Sequence, residues 1–368
     1  MKLRYKILNS LLLLLGVAIV SLALALSYDA PCEPAPAVTS GEQTMKAVRF
    51  YCYGSTDVLE YDDVEKPSPA ADEMLIKVHA AAVNPLDWHF LHGTPYFIRL
   101  MSGLGKPADS GLGVDMAGTV EVVGSNVTRF KPGDAVFGGG GTGAYAEYAI
   151  VREEGARVMK PANVSFEQAA TVGVAGITAL QALRDKGQLQ PGQKVLINGA
   201  SGGVGTFAVQ IAKSMGAEVT GVCSTRNVAM VRSIGADHVI DYKKDDYTAG
   251  DQRYDLIIDM VGNHSLSKNR QVLAPDGVLV MVGGSTGNWL SALAGPLKAL
   301  IYSKFVDQQF VLILAELNQE DLAIIGDMIA AGSVTPVIDR RYPLSEVASA
   351  FEYSEKGHAR GKIIIEVN

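Results

Sequence analysis

The sequence predicts an α/β protein in which a small β-barrel is joined to a doubly wound parallel sheet and preceded by an apolar N-terminal helix. Residues 113–138 alternate β-branched runs with glycines, as strands joined by tight turns do. After Asn163, apolar strands alternate with helical segments, which is typical of a parallel sheet covered on both faces. Residues 7–26 are apolar apart from one Asn and two Ser, and as a helix they would be about as long as a bilayer core is thick.

The composition excludes several classes of protein. The chain has 368 residues, of which 48% are hydrophobic and 19% charged, and its net charge is −7. This composition rules out wholesale disorder, and the acidic balance without a dense Lys/Arg run argues against nucleic acid as a partner. Cys32, Cys52 and Cys223 are far apart in sequence, which excludes a disulfide scaffold and a four-cysteine zinc site.

The N-terminus predicts a membrane segment. Lys2, Arg4 and Lys6 precede the apolar run, so residues 1–26 are interpreted as a single-pass anchor. A cleaved signal peptide and an ordinary core helix are the alternatives. Residues 27–44 are rich in Pro, Ala and polar residues and are predicted to be a linker. The protein is therefore expected at a membrane, attached through its N-terminal helix.

The folded part is predicted to begin near Met45. Residues 46–50 and 74–81 have the alternating or continuous apolar pattern of strands, and Ser165 with Gln168 predicts a capping box at a helix start. The remaining predicted elements are strands at residues 194–198, 218–222, 254–259, 277–282, 310–315 and 362–367 and helices at residues 206–215 and 322–331.

A glycine loop is the first motif that carries chemistry. It lies between an apolar strand and a helix, where glycines let the backbone approach a pyrophosphate and the helix N-terminus offers unpaired N–H groups. Its spacing, G-x-x-G-x-x-G, differs from the common G-x-G-x-x-G. The sequence therefore predicts a dinucleotide site, with contacts at Ser201, Gly202, Gly203, Val204, Gly205, Gly262 and Gly283.

The end of the second predicted strand indicates which dinucleotide binds. Residues 222–226 contain no acid where an NAD-selective site usually has one for the ribose 2′-hydroxyl. Ser224 and Arg226 could instead hold a 2′-phosphate, with Tyr242 closing over it. NADPH is therefore the predicted cofactor.

The charges flanking the apolar run favour an exported catalytic domain, whereas NADPH is kept inside cells. The side of the membrane on which the catalytic domain lies is therefore left open.

Several motifs in the right order resemble the quinone oxidoreductase/ζ-crystallin branch of the medium-chain dehydrogenase/reductase superfamily. They are the segments 192–196, 200–205, 336–344 and 357–362, together with Gln210 and Lys213. The last two segments are similar to the reticulon-interacting mitochondrial member and to plant enone reductases. The resemblance implies a GroES-like catalytic domain over residues 45–170 and 316–368 and a Rossmann NADPH-binding domain over residues 171–315. It also implies cofactor contacts at His358 and Arg360.

The resemblance raises the question of zinc, because the superfamily includes zinc alcohol dehydrogenases. Residues 82–87 hold no cysteine at the first ligand position, and Gly113–Asp115 stands where the family has Gly-His-Glu, so no metal is expected. Without a Lewis acid, conjugated acceptors are favoured because an enolate or hydroquinone delocalises the incoming charge. These features predict a zinc-independent NADPH reductase of quinones or α,β-unsaturated carbonyl compounds.

Three residues are expected to act in catalysis. Asn84 matches the active-site asparagine of the branch and would orient the acceptor carbonyl or the nicotinamide ribose. His89 and Tyr96 are candidate proton donors, with water as the alternative.

The apolar segment 286–303 suggests a hydrophobic acceptor site or a homodimer contact. Two other functions are kept open, namely a membrane-tethered NADPH-binding sensor or scaffold without turnover and an enoyl-thioester reductase.

Overall fold

Two sheets organise the protein in a computed structural model that describes residues 2–38, 43–139, 141–283 and 306–367, together with residues 295, 298, 299 and 303. The predicted acceptor or dimer segment 286–303 lies almost wholly outside these residues. In chain order, the strands are β1 Thr44–Arg49, β2 Glu60–Glu65, β3 Glu73–Val83, β4 Asp115–Val123, β5 Ala135–Gly138, β6 Tyr148–Arg152, β7 Arg157–Met159, β8 Lys194–Asn198, β9 Glu218–Cys223, β10 His238–Asp241, β11 Tyr254–Asp259, β12 Leu273–Val282, β13 Gln309–Ile313, β14 Ile338–Pro343 and β15 Lys362–Glu366.

Helices cover both sheets. In chain order, they include α1 Lys2–Ser27, α2 Pro85–His92, α3 Arg99–Ser102, α4 Phe166–Ala170, α5 Gly173–Gln181, α6 Gly203–Ser214, α7 Val228–Ser233, α8 Leu266–Val272, α9 Gln319–Ala330 and α10 Val347–Glu355. The predicted capping box is confirmed at α4, where Ser165 accepts from the Gln168 backbone and the Gln168 side chain accepts from Ser165 N–H.

The parallel sheet has the strand order β10-β9-β8-β11-β12-β13, and all of its neighbouring pairs are parallel. This is the doubly wound order, in which the chain leaves β8 in one direction and later returns to its other side at β11. The predicted bounds of β8 and β11 are confirmed residue for residue. The Rossmann-like prediction therefore holds for this part of the chain.

The second sheet has the order β14-β15-β3-β4-β5-β7, with β6 pairing on β3. Its pairs are antiparallel apart from β14 with β15, and the hairpin β1-β2 stands beside it. Strand β15 pairs with β3, and in this pairing Ile363 lies opposite Val83. The C-terminal residues are thereby brought next to the start of α2, which positions the site described below.

The structure does not agree with the predicted N-terminal membrane anchor. No helix in the described part of the chain is long and apolar enough to cross a membrane. The predicted single-pass segment over residues 1–26, and the membrane location derived from it, are therefore wrong.

Residues 28–33, here called the strap, pack on the barrel rather than forming the free linker that the composition predicted. Arg99, only 2% exposed, donates to the Tyr28 carbonyl at 2.9 Å and to Asp29 Oδ1 at 2.8 Å. Cys32 is disulfide-bonded to Cys52, across a separation of 20 residues. The chain is thus no disulfide scaffold, yet one disulfide ties its N-terminal segment to the barrel.

We expect Cys32→Ser to lower the free energy of unfolding by about 3 kcal/mol. The disulfide closes a loop between residues 20 positions apart, and this restricts the conformations of the unfolded chain. The measurement is urea unfolding of the oxidised protein. Dithiothreitol supplies the control, since it should destabilise the natural chain by the same amount and leave the Cys32→Ser variant unchanged. Equal midpoints for the oxidised natural chain and the variant would contradict a bond that stabilises the fold.

Candidate active site

The glycine loop lies at the carboxyl edge of the parallel sheet, where β8 turns into α6. A Cβ atom at Gly205 would clash with the carbonyl oxygen of Gly199, so glycine is required there for α6 to start this close to the strand. The N-cap residue of α6 is Gly202, and no side chain caps the helix. Its first N–H groups therefore have no partner within the helix, which suits the pyrophosphate of a dinucleotide.

The C-terminal segment lies against this loop. Gly361 N–H donates to the Ser201 carbonyl at 2.9 Å, and Gly202 and Gly361 form a parallel bridge. Asn227, buried and not predicted from the sequence, donates to the Ser201 hydroxyl at 2.9 Å and reaches the Ser224 hydroxyl at 3.3 Å. The structure thus brings the glycine loop, the end of β9 and the segment before β15 together.

The residues predicted to hold a 2′-phosphate lie at the end of β9 and β10. Arg226 and Tyr242 are exposed, and Arg226 Nη2 donates to the His358 carbonyl at 2.5 Å. Arg360 is exposed in the same C-terminal segment. An acidic residue also lies at this edge of the parallel sheet. It is Asp241, the last residue of β10, which pairs with Cys223 at the end of β9. Its Oδ1 accepts from Lys243 N–H at 3.1 Å, so this carboxylate is engaged by its own turn.

The two remaining predicted cofactor residues follow β11 and β12 at the same edge. Gly262 and Gly283 have φ values of +68° and +89°, a region that favours glycine. Asp259 Oδ1 accepts from Gly262 N–H at 2.9 Å and from Asn198 Nδ2 at 2.9 Å, which ties this turn to the end of β8. The predicted loop residues therefore share one rim of the sheet.

Asn84 is the centre of a buried polar cluster at the start of α2. It is 1% exposed, and its Nδ2 donates to Asp115 Oδ2 at 3.0 Å and to the Ala82 carbonyl at 3.2 Å. Its Oδ1 accepts from Lys362 Nζ at 2.5 Å. Lys362 Nζ also donates to the Val83 carbonyl at 3.1 Å. The Asn84 amide is thus fully engaged by the protein.

Lys362 connects this cluster to the glycine loop. Its Nζ is 3.8 Å from Asp115 Oδ2, and both residues are almost wholly buried, at 3% and 0% exposure. A Cβ atom at Gly203 would be 3.1 Å from Lys362 Cδ, so the lysine stem runs beside the first turn of α6. Asp115 also accepts from Val174 N–H at 3.0 Å, at the start of α5. The cluster therefore joins both sheets where their edges meet.

Burial and pairing have opposite effects on these groups. Burial raises the pKa of Asp115 and lowers the pKa of Lys362, while the attraction between the two charges opposes both shifts. Burial also raises the pKa of Asp87 to about 7, against hydrogen bonds from Asn84 N–H and Tyr145 Oη. We infer an ionised Lys362–Asp115 pair, since each charge has the other as its partner.

The two predicted proton donors lie on and after α2, outside this cluster. His89 Nδ1 is 2.7 Å from the Thr94 carbonyl, which can only accept, so Nδ1 carries the proton. Burial lowers the pKa of His89, so the ring is neutral at pH 7 and its Nε2 accepts rather than donates. The Tyr96 ring packs over the Arg99 guanidinium at 4.7 Å.

Three members of the buried cluster were missed from the sequence as site residues, namely Asp87, Asp115 and Lys362. Asp115 and Lys362 stand inside motifs that the sequence analysis used only to compare families. One local signal was available, since Asn84 and Asp87 have the spacing of a capping box, and Asn84 N–H donates to Asp87 Oδ2 at 2.8 Å at the start of α2. The pairing of Lys362 with Asn84 spans 278 residues and leaves no local signal.

Comparison with known proteins agrees with this architecture. The sequence model described as "Alcohol dehydrogenase GroES-like domain" matches residues 70–161, and the one described as "Zinc-binding dehydrogenase" matches residues 234–365. The chain is 36% identical to a chloroplast envelope quinone oxidoreductase homolog of Arabidopsis thaliana, over 88% of this chain and 98% of the relative. It is 33% identical to the 2-methylene-furan-3-one reductase of Solanum lycopersicum, over 94% of this chain and 86% of that protein.

A solved structure gives the same answer. The quinone oxidoreductase of Coxiella burnetii superposes with a TM-score of 0.79 at 32% identity, covering 89% of this chain and all of that one. The chain belongs to the zinc-independent quinone oxidoreductase branch of the medium-chain dehydrogenase/reductase superfamily. It is therefore an oxidoreductase, and the superfamily binds a nicotinamide cofactor. The glycine loop and the uncapped α6 fit that cofactor.

The residues present do not fit the zinc ion that other members of the superfamily hold. Among the residues that the structure describes, no group of three His, Cys, Asp or Glu side chains could hold a metal ion. Asp115 is the buried carboxylate that could be considered as a zinc ligand. The Lys362 ammonium and the Asn84 amide already lie next to this carboxylate. A metal cation next to Asp115 would be repelled by the positive charge of Lys362.

We expect the purified enzyme to contain far less than one zinc per chain and to keep its full activity after prolonged treatment with a chelator, because its described residues form no thiolate or imidazole ligand set. Elemental analysis and turnover before and after chelation are the measurements. A zinc-dependent alcohol dehydrogenase treated in parallel shows that the chelation works. Loss of about one zinc together with activity would overturn this expectation.

Proposed function

We propose that this protein is an NADPH-dependent reductase that transfers hydride to quinones or α,β-unsaturated carbonyl compounds. The observation that carries the proposal is the buried cluster of Lys362, Asn84 and Asp115 beside the glycine loop, in place of metal ligands. The names of the Arabidopsis and tomato relatives, which refer to quinone and enone reduction, support the same acceptor class. Conjugated acceptors suit such a site, since they spread the incoming charge themselves.

The chain's own residues bind and orient. The N–H groups at the start of α6 would hold the pyrophosphate, and the bound nicotinamide supplies the hydride when it is present. Asn84 has no unpaired polar atom, so we assign it a positioning role: with Lys362 it fixes the start of α2 against the glycine loop. Since His89 Nε2 accepts at neutral pH, the proposed source of the proton is Tyr96 or water.

The preference for NADPH and the division into domains belong to the same proposal. Arg226, exposed beside Ser224 and Tyr242, supports a 2′-phosphate site at the end of β9. We propose that residues 171–315 form the nucleotide-binding domain and residues 45–170 and 316–368 the catalytic domain. The return of β14 and β15 to the sheet of β3 supports the second part of this division.

Arg226→Ala is expected to raise the KM for NADPH by roughly tenfold or more and to leave the KM for NADH nearly unchanged, because one charge-assisted contact of ~1.5–3 kcal/mol is lost. Steady-state kinetics with both cofactors measure this. Arg232→Ala is the matched control, since Arg232 is exposed near the other end of the same αβ unit. The same increase with NADH and NADPH would show that Arg226 does not recognise the 2′-phosphate.

The hydride transfer itself can be followed with NADPH that carries deuterium at both positions of C4. In the presence of an enone, we expect one deuterium atom at the β-carbon of the product and none in the solvent, while the α-carbon takes its hydrogen from water. Mass spectrometry and NMR of the product show both positions. Deuterium found at the carbonyl carbon, with the double bond intact, would replace the proposal by carbonyl reduction.

A further inference from the structure

A cavity of about 550 Å³ lies in the barrel, and no residue of the glycine loop lines it. Its walls come from β6 and from residues 109–111, 139, 141–143 and 154–157, and Arg49, Arg152 and Arg157 line it. The volume is in the range of small-molecule sites. Nothing in the proposed reduction uses this cavity, and the inference drawn from it does not rest on that function.

The three arginines in the cavity differ in their counter-charges. Burial lowers the pKa of Arg49, and the attraction between its guanidinium and Asp109 opposes this shift. Arg152 is 3.8 Å from Asp72 Oδ2, but no carboxylate oxygen of the described residues lies within 4.0 Å of the guanidinium of Arg49 or Arg157. Arg157 is only 7% exposed, and its Nε is buried without a hydrogen-bond partner. A buried cation with an unpaired donor is costly unless a ligand or another charge satisfies it.

Acidic residues line the cavity too, and the oxygens of Asp109 and Glu73 accept hydrogen bonds from neighbouring groups. Asp109 accepts from Gly111 N–H at 2.8 Å and from the Thr142 hydroxyl. Glu73 accepts from Ala70 N–H at 3.0 Å, and Glu154 is exposed. Arg157 Nη1 donates to the Glu154 carbonyl at 3.3 Å and Arg49 Nη1 to the Val48 carbonyl at 3.4 Å. Both guanidiniums keep further N–H groups without a partner among the described residues.

Glycines leave room around the two guanidiniums. A Cβ atom at Gly155 would be 2.7 Å from Arg157 Nη1, and one at Gly141 would be 3.2 Å from Arg157 Nη2. Arg49 Nη1 approaches the same loop, 4.0 Å from the Cβ position of Gly143. The backbone N–H groups of residues 141–143 donate no hydrogen bond within the described chain. Unpaired amides and two guanidiniums thus line one end of the cavity.

We propose that this end of the cavity binds the oxyanion of a small organic molecule, a phosphate or a carboxylate, with Arg157 and Arg49 as its cationic contacts. Guanidinium groups and unpaired backbone N–H groups both donate to such oxygens, and charge-assisted hydrogen bonds are the stronger ones. The cavity is larger than a bare phosphate requires, so the rest of the molecule would occupy the space along β6.

The test titrates pyrophosphate and, separately, succinate into the full chain by isothermal calorimetry, at constant ionic strength and with saturating NADP⁺ to occupy the nucleotide site. We expect saturable binding of at least one probe, weakened roughly tenfold or more in Arg157→Gln and in Arg49→Gln. Arg253→Gln, which removes an exposed guanidinium that contacts only neighbouring carbonyl groups, should bind as the natural chain does. The tighter probe identifies the oxyanion as phosphate or carboxylate.

Two results would overturn the proposal. One is the absence of saturable binding of both probes; the other is binding that neither arginine substitution changes. Thermal unfolding of each variant shows whether it folds. If Arg157→Gln does not fold, Arg49→Gln decides alone, because Arg49 is only half-buried.

Discussion

Lys362→Met is expected to remove almost all turnover and to lower the free energy of unfolding by about 3–5 kcal/mol. Methionine matches the length of the lysine stem but lacks the ammonium group. Asn84 Oδ1 would lose its donor at 2.5 Å, and Asp115 would become a buried carboxylate without a counter-charge. Chemical denaturation measures the stability, and kcat/KM with NADPH and a quinone measures the activity.

Two further variants separate pairing from packing. In the double variant Lys362→Met with Asp115→Asn, the loss of stability should be smaller than the sum of the two single losses, by about 0.5–3 kcal/mol for groups in direct contact. Lys356→Met, at an exposed position in the same C-terminal region, is the control and should cost little. A Lys362→Met protein that unfolds at the natural midpoint and turns over normally would contradict the proposed role of the cluster.

Asp87 should make the stability of the protein depend on pH between about 4 and 7. Its pKa is about 7 in the folded chain and 3.8 ordinarily, so the folded chain keeps this proton where the unfolded chain has released it. The resulting stabilisation is complete below pH 3.8 and is lost as the pH rises through 7. Asp87→Asn removes the titration, so the variant should lack this component.

The measurement is the free energy of unfolding of both proteins at a series of pH values. The difference between the natural chain and Asp87→Asn should shift against the natural chain by a few kcal/mol as the pH rises, and then level off. Asp276→Asn, which changes an exposed acid, is the control and should follow the natural curve. Parallel curves for the natural chain and Asp87→Asn would show that Asp87 is ionised throughout.

Local patterns predicted the nucleotide side of this protein well. The strand at 194–198, the glycine loop and the helix after it are contiguous, and each follows from residues within a few positions of itself. The edge that carries Ser224, Arg226 and Tyr242 could also be predicted, because the carboxyl ends of parallel strands share one rim.

The rest depends on contacts between distant parts of the chain. Lys362 meets Asn84 because β15 pairs with β3, and no local pattern indicates that pairing. Composition made the strap look like a free linker, whereas the buried Arg99 and the bond from Cys32 to Cys52 hold it on the barrel. The anchor prediction was also wrong, because no helix in the described part of the chain is long and apolar enough to cross a membrane.

The most direct test of the proposed function is the steady-state oxidation of NADPH with matched acceptors. The panel pairs a quinone and an enone with the saturated ketone of the same skeleton, and includes NADH as the alternative cofactor. We predict turnover with the quinone or the enone, faster with NADPH than with NADH, and none with the saturated ketone. Turnover of the saturated ketone alone, or none with any conjugated acceptor by a chain that binds NADPH, would contradict it.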